Sequence, residues 1–320
     1  MSVPLLRIVG GVALLLAGLF AYFNLILGPA VFLLFILAGV VVIIVTFSGH
    51  KAHRADVAIF VFGILVLGAA TAGYRIGTKS ATFSATTAQV GTDRIDLSVA
   101  ATTGSVSITF LNKSDLAYQV NISESFGGFS IPLAPGQGEL TNYTKDGVFG
   151  LQINSSFSSI DVFLRQGYFV NVSATTGTGS ISLTADASDR LGSVSLTSST
   201  GSLSATIDTS TIQSLDLRTE TGSISLESND FQTTGHNVPV TLWTSLGSVS
   251  LSLEIPNSVA ASLTATAGLG SITHHLTGFS VSQNTSSYLA AETSNVGTSP
   301  YSFVISCSTS LGSQSISIRR

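Results

Sequence analysis

The residues able to do chemistry are few and scattered. Beyond residue 80 the histidines are His236, His274 and His275. Adjacent positions on a strand point to opposite faces, so His274 and His275 cannot ligate one metal together. Asp186 and Asp189 in "TADASDRLG" bring two carboxylates close, but without the alternating spacing of a calcium loop, so a solvated turn is expected. Asp208, Asp216, Glu220 and Glu227 are the nearest candidates for the paired carboxylates of a glycosidase, and their spacing makes no convincing pair. The segment "SGHK", Ser48 to Lys51, has the spacing of an acyl-enzyme serine motif without its companion motifs, and no nucleophile elbow is found. Gly177 and Gly179 lack the third glycine of a nucleotide loop. Cys307 is the single cysteine, so no intrachain disulfide forms, and a buried thiol is expected. The expectation is a protein that is not an enzyme and has no metal and no cofactor.

Six acceptor sequences of the form Asn-x-Ser/Thr begin at Asn112, Asn121, Asn142, Asn154, Asn171 and Asn284. They are candidate N-glycosylation sites, and the first four fall in a turn-rich stretch that reads as β-structure with longer exposed loops. Trp243 lies on the opposite phase from Leu242 and Thr244, which makes it a candidate contact for a partner or a sugar.

Composition sets the frame for these residues. Charged residues are 9% of the 320-residue chain, well below the ~25% of an ordinary soluble domain, and net charge is −4. A basic surface for nucleic acid is therefore not implied. With so few carboxylates, stability should depend little on pH.

The first 79 residues are almost continuously apolar. Runs over 5–27, 29–47 and 57–74 are each near the ~20 residues that cross a bilayer as a helix. They predict a three-helix transmembrane anchor, 1–79, with the lipid bilayer as partner. Lys51 and Arg54, placed inside, put the N-terminus in the cytoplasm and the C-terminal domain outside, as a multi-pass cell-membrane protein. Ala13, Ala17 and Ala21, with Gly68 and Ala72, space small residues for close helix contact or for a membrane partner.

Residues 80–320 follow another rule. Gly-Ser, then an apolar, a hydroxyl and usually another apolar residue, begins at Gly104, Gly179, Gly192, Gly201, Gly222, Gly247 and Gly270, with a weaker copy at Gly312. Apolar residues alternate on both sides of each pair: Val240, Leu242 and Leu246 before Gly247, then Val249, Leu251 and Leu253 after it. Period two marks a strand with one buried face. The phase flips at every Gly-Ser, which makes each of these glycines a structural corner between strands sharing one interior. Two geometries fit. One is a hairpin turn pairing Leu246 with Val249 in an antiparallel sandwich. The other, which is preferred, is a β-solenoid whose rungs of roughly 20–25 residues stack. The wide gap between Gly270 and Gly312 suggests a hidden degenerate rung. A single rung cannot fold alone; stacking covers its apolar face and supplies ladder hydrogen bonds.

Segments such as "TTGSVSITF", "GTGSISLTA", "TETGSISLES" and "SLGSVSLSLEI" resemble those of the toast-rack, or putative-adhesin, β-repeat proteins of prokaryotic envelopes, over about residues 95–320. Family repeats often carry Asp or Asn after the glycine, where this chain has Ser. The resemblance implies a non-enzymatic surface β-solenoid. It leaves two roles open: a structural or adhesive module meeting a cell-envelope component, surface glycan or membrane protein, and an envelope-stress sensor acting through a membrane partner.

Overall fold

The structure, a computed structural model, describes residues 74–111, 115–129, 138–208, 212–231 and 235–320. The compact β unit comprises Ser80–Glu124 and Gly136–Arg320. The described parts outside it, 74–79 and 125–129, are extended strand.

The chain alternates between two facing sheets, and the Gly-Ser steps, that at Gly192 excepted, carry it from one to the other. The rungs are β2 (Arg94–Thr103) with β3 (Val106–Leu111), β6 (Val148–Phe157) with β7 (Ser159–Arg165), and β8 (Phe169–Thr178) with β9 (Ile181–Ala185). They continue as β10 (Arg190–Thr200) with β11 (Leu203–Ile207), β12 (Ser214–Thr221) with β13 (Ile224–Ser228), and β14 (Val238–Leu246) with β15 (Val249–Glu254). The last two are β16 (Ala260–Leu269) with β17 (Ile272–Leu276) and β20 (Ser302–Leu311) with β21 (Gln314–Arg319). Rung-to-rung pairing is parallel in both sheets. The hairpin alternative is thereby corrected: Val249 pairs with Ile224 and Gln314, not with Leu246.

Burial follows the alternation. In one sheet Leu151, Leu97, Val172, Val194, Leu215, Val240, Ile305 and Leu263 stand in register as one inward column. All are 2% exposed or less, so the core is a continuous apolar seam along the axis.

The corners explain the glycines. Gly104, Gly179, Gly201, Gly222, Gly247, Gly270 and Gly312 have φ between 139° and 153°, a region costly for any residue with a Cβ. A Cβ at Gly222 would also overlap the carbonyl oxygen of Gly201, the corner stacked beside it, and the same relation repeats from rung to rung. The direction matters. A Cβ at Gly104 would strike Ser158, the corner of β6 and β7. That rung is the last of the stack on its side, with no further corner beside it, and serine replaces glycine there. Five of the corners, at Gly104, Gly179, Gly201, Gly222 and Gly247, are each closed by two hydrogen bonds. The Gly222 N–H donates to Leu246 O at 2.8 Å, and Thr244 Oγ1 donates to Gly222 O at 3.0 Å. Thr176, Ser198, Thr219 and Thr309 repeat the hydroxyl bond on Gly104, Gly179, Gly201 and Gly247. These hydroxyls are at most 2% exposed, so a buried polar column satisfies the corner carbonyls.

Stacking order departs from chain order at both ends. The rung of β6 and β7 lies outside that of β2 and β3, and the rung of β16 and β17 lies outside that of β20 and β21. The gap between Gly270 and Gly312 hides no degenerate rung. It holds β18 (Phe279–Asn284) and β19 (Tyr288–Thr293), which pair antiparallel with each other, and β19 pairs antiparallel with β16. At the opposite end β4 (Leu116–Phe129) and β5 (Glu139–Lys145) pair antiparallel with β7 and β6, and β1 (Tyr74–Thr86) lies beside β4. Antiparallel strands thus cover the ends of the parallel stack, a standard defence of sheet edges.

Three further expectations need correction. The described fold is all β with one four-residue helix, α1 (Thr87–Val90), in place of helices followed by a β domain. The three-helix anchor falls on residues 1–73, outside the described residues, and its last six, 74–79, run in β1. Among the described residues no helix is long and apolar enough to cross a membrane, so the multi-pass placement with a cytoplasmic N-terminus and extracellular domain is withdrawn. Gly192 is not a corner. It sits inside β10 at a register shift between Leu191 and Val194.

Candidate functional site

The outward residues of a solenoid face are displayed in columns, one residue per rung, ~4.8 Å apart. On the sheet containing β2 and β8 these columns form a groove of about 660 Å3. Its floor is the in-register row Gln152, Ser98, Ser173, Ser195 and Asp216, contributed by β6, β2, β8, β10 and β12. A second row carries Asp96, Asn171, Ser193 and Ser214. Tyr143 of β5 closes one end. It pairs with Gly150, and its ring occupies the space that a Cβ there would need. The ring remains 54% exposed, so it offers an open aromatic face.

The polar groups are held in place. Asn171 Nδ2 donates to Asp96 Oδ1 at 2.8 Å, and Ser193 N–H donates to Asn171 Oδ1 at 3.0 Å. Gly192 permits this: a Cβ there would collide with the Asn171 amide oxygen and the Phe169 ring. Its role is a bulge that admits a neighbour's side chain, not a corner. Arg218 Nε donates to Asp216 at 2.7 Å, and the pairing raises the Arg218 guanidinium above its ordinary value. Trp243 stands half-buried beside Arg218 in the next rung. Arg94 and Arg190 lie over the Phe169 ring at 5.7 and 5.8 Å. No Lys, Arg or His lines the groove itself.

The other candidates are dispersed. Asp216 and Glu220 lie on β12, whereas Glu227 lies on β13 in the opposite sheet, and Asp208 accepts bonds from Ser228 Oγ and Asn229 N–H at 3.2 and 2.7 Å. His236 Nε2 lies 3.0 Å from Ile212 O. His274 and His275 alternate along β17. Among the described residues no group of three or more His, Cys, Asp or Glu could hold a metal ion. Cys307 is buried between Leu242 and Ala265, and burial pushes its thiol up to about 12.

Of the glycosylation candidates, Asn112 lies outside the described residues. Asn121, Asn142 and Asn154 lie on β4, β5 and β6, not in the loops expected, and Asn171 lies on β8. The side chains of Asn121 and Asn171 are hydrogen-bonded, the former with Thr82 and Gln119. Asn142, Asn154 and Asn284 are exposed. The helix contacts that motivated a sensory role lie outside the described residues.

Asp189 is a carboxylate buried beneath this charge-poor surface. It closes the turn after β9, accepting the Asp186 N–H at 2.6 Å, and is 2% exposed. Burial raises its carboxyl from 3.8 to about 6, against the lowering effect of that hydrogen bond. The folded chain therefore binds this proton more tightly than the unfolded chain does. The stability it contributes is full below about pH 4 and is lost as pH rises through about 6. Thermal melts should show a lower melting temperature at pH 7 than at pH 4, and Asp189→Asn should flatten that dependence. An identical slope in both proteins contradicts the assignment.

No protein-family model matches the sequence, and a search of curated proteins finds no match. Among solved structures the chain is similar to a putative cell adhesion protein from Clostridium sporogenes, at 16% identity and a TM-score of 0.47, covering 76% of this chain and all of that one. It is also similar to putative adhesins from Bacteroides fragilis (11% identity, TM-score 0.21) and Parabacteroides distasonis (10%, 0.19). Each of these alignments covers 76% of this chain and 97% of the other.

Proposed function

We propose that the β unit is a non-enzymatic adhesive surface module that engages its target through the groove on the face of β2, β8 and β10. The observation that carries this is the groove itself: five successive rungs present polar side chains in register on a face stiffened by parallel ladders. Rigid display of this kind lowers the ordering cost of binding.

The test uses beads coated with the full chain and cells of the native organism. Coated beads should be retained above bare beads. Ser173→Arg raises a long side chain in the middle of the groove and should lower retention several-fold. The matched Ser204→Arg, exposed on β11 of the opposite sheet, should not. Equal retention of both variants, or retention no better than bare beads, overturns the reading.

A further inference from the structure

Resting on that reading, we infer that the groove's ligand is an extended, neutral oligosaccharide lying along the solenoid axis. The first reason is what the face offers. The floor strands pair on both sides, so their backbone groups are engaged in the parallel ladders. A peptide strand adding to a sheet needs a free edge, which the floor does not present. Recognition must come from side chains.

The second reason is which side chains these are. Ser98, Ser173, Ser195 and Gln152 both donate and accept hydrogen bonds, and Asp96 accepts. This set complements the hydroxyls of a sugar. Tyr143 supplies a flat amphipathic ring on which the apolar C–H face of a pyranose can rest, with its phenol at the wet edge. Asp216 is paired with Arg218 and no Lys, Arg or His lines the groove, so a polyanion would meet the Asp96 carboxylate and no lining cation.

The third reason is the repeat. Polar groups recur at each rung, ~4.8 Å apart across five rungs. That interval is close to the advance per residue of an extended glycan chain. Several weak contacts would then be made in step, and Asn171, clamped between Asp96 and Ser193, keeps the middle of the site rigid.

Native affinity electrophoresis of the full chain tests this, with gels carrying glucomannan, mixed-linkage β-glucan or, as the acidic control, polygalacturonate. At least one neutral polysaccharide should retard the protein and polygalacturonate should not. Tyr143→Ala should weaken retardation about tenfold or more, Tyr143→Phe should retain it, and Gln152→Ala, at an exposed floor position, should weaken it without lowering the melting temperature. No retardation by either neutral polymer, equal retardation by polygalacturonate, or indifference to both Tyr143→Ala and Gln152→Ala overturns the inference. A cell assay separates this from the broader reading. Periodate, which cleaves vicinal diols, should abolish bead retention. Retention that survives periodate but is lost to protease leaves adhesion standing and removes the glycan. Failure of any retention on untreated cells removes adhesion itself.

Discussion

Gly222→Val should cost about 4 kcal/mol or more, enough to rank among the exceptional single substitutions or to prevent folding. Two independent penalties combine at this position. At φ 148° a Cβ is strained whatever space surrounds it. The same Cβ would also overlap the carbonyl of Gly201, which is pinned by Thr219 Oγ1 at 3.0 Å and cannot retreat without losing that bond. Relief by moving the rung is blocked as well, because Ile224 and Leu226 are in register with Leu203 and Ala205 and buried on the same face. The matched control is Ser225→Val, an outward strand position three residues away, where a change within about 0.5 kcal/mol is expected. For a domain of this size the difference corresponds to roughly 8–16 °C in melting temperature. Indistinguishable melting curves for the two variants would show that the corner has no special geometry.

That same corner marks the boundary of what the sequence discloses. The parity flip at Gly222 or Gly247 is local: five residues on either side suffice to see two strands with one interior. The reason for glycine could be read only in part, because the collision partner is another glycine, about twenty residues away along the chain and adjacent only once the rungs stack. Gly192 shows the cost of that locality. Its kernel "GSVSL" is indistinguishable from a corner, yet one strand runs through it from Arg190 to Thr200, and what needs the missing Cβ is the amide of Asn171. The order of rungs was not legible either. Parallel neighbours are chosen by apolar fit across long separations, so nothing near Gly312 announces that its corner stacks on Gly247 rather than on Gly270 alone. The groove suffers most. Asp96 and Asn171 are 75 residues apart, and Tyr143 reaches Gly150 only because β5 folds back on β6. Each looks like an ordinary surface residue until the register places them on one face. Trp243, singled out for its phase, stands one rung beyond the groove's last floor residue, Asp216.

Phe303→Ala should cost about 3–5 kcal/mol, the range for emptying a buried aromatic site. Phe303 and Phe231 are both fully buried and stack with centroids 4.4 Å apart and an interplanar angle of 20°. Phe231 comes from the connection between β13 and β14, a stretch that reads as loop, and its N–H donates to Glu254 O. The pair therefore joins three rungs at the side of the stack opposite the Gly-Ser corners. In register, Phe303 lies between Val238 and Ala261, and a small neighbour such as Ala261 cannot expand into the vacated volume. Phe303→Leu, which keeps most of that volume, should cost less than about 1.5 kcal/mol. The damage should also be local. In a stack whose rungs touch only their neighbours, stability is set by adjacent interfaces. The rung of β20 and β21 separates β14 and β15 from β16 and β17, so loosening it detaches the end that carries β18 and β19. Hydrogen exchange on Phe303→Ala should show protection falling first in β16, β19 and β20, while β2, β8 and β10 keep theirs. Uniform loss of protection along the axis would mean that the solenoid melts as one cooperative body, and that the two phenylalanines do not define a separable end.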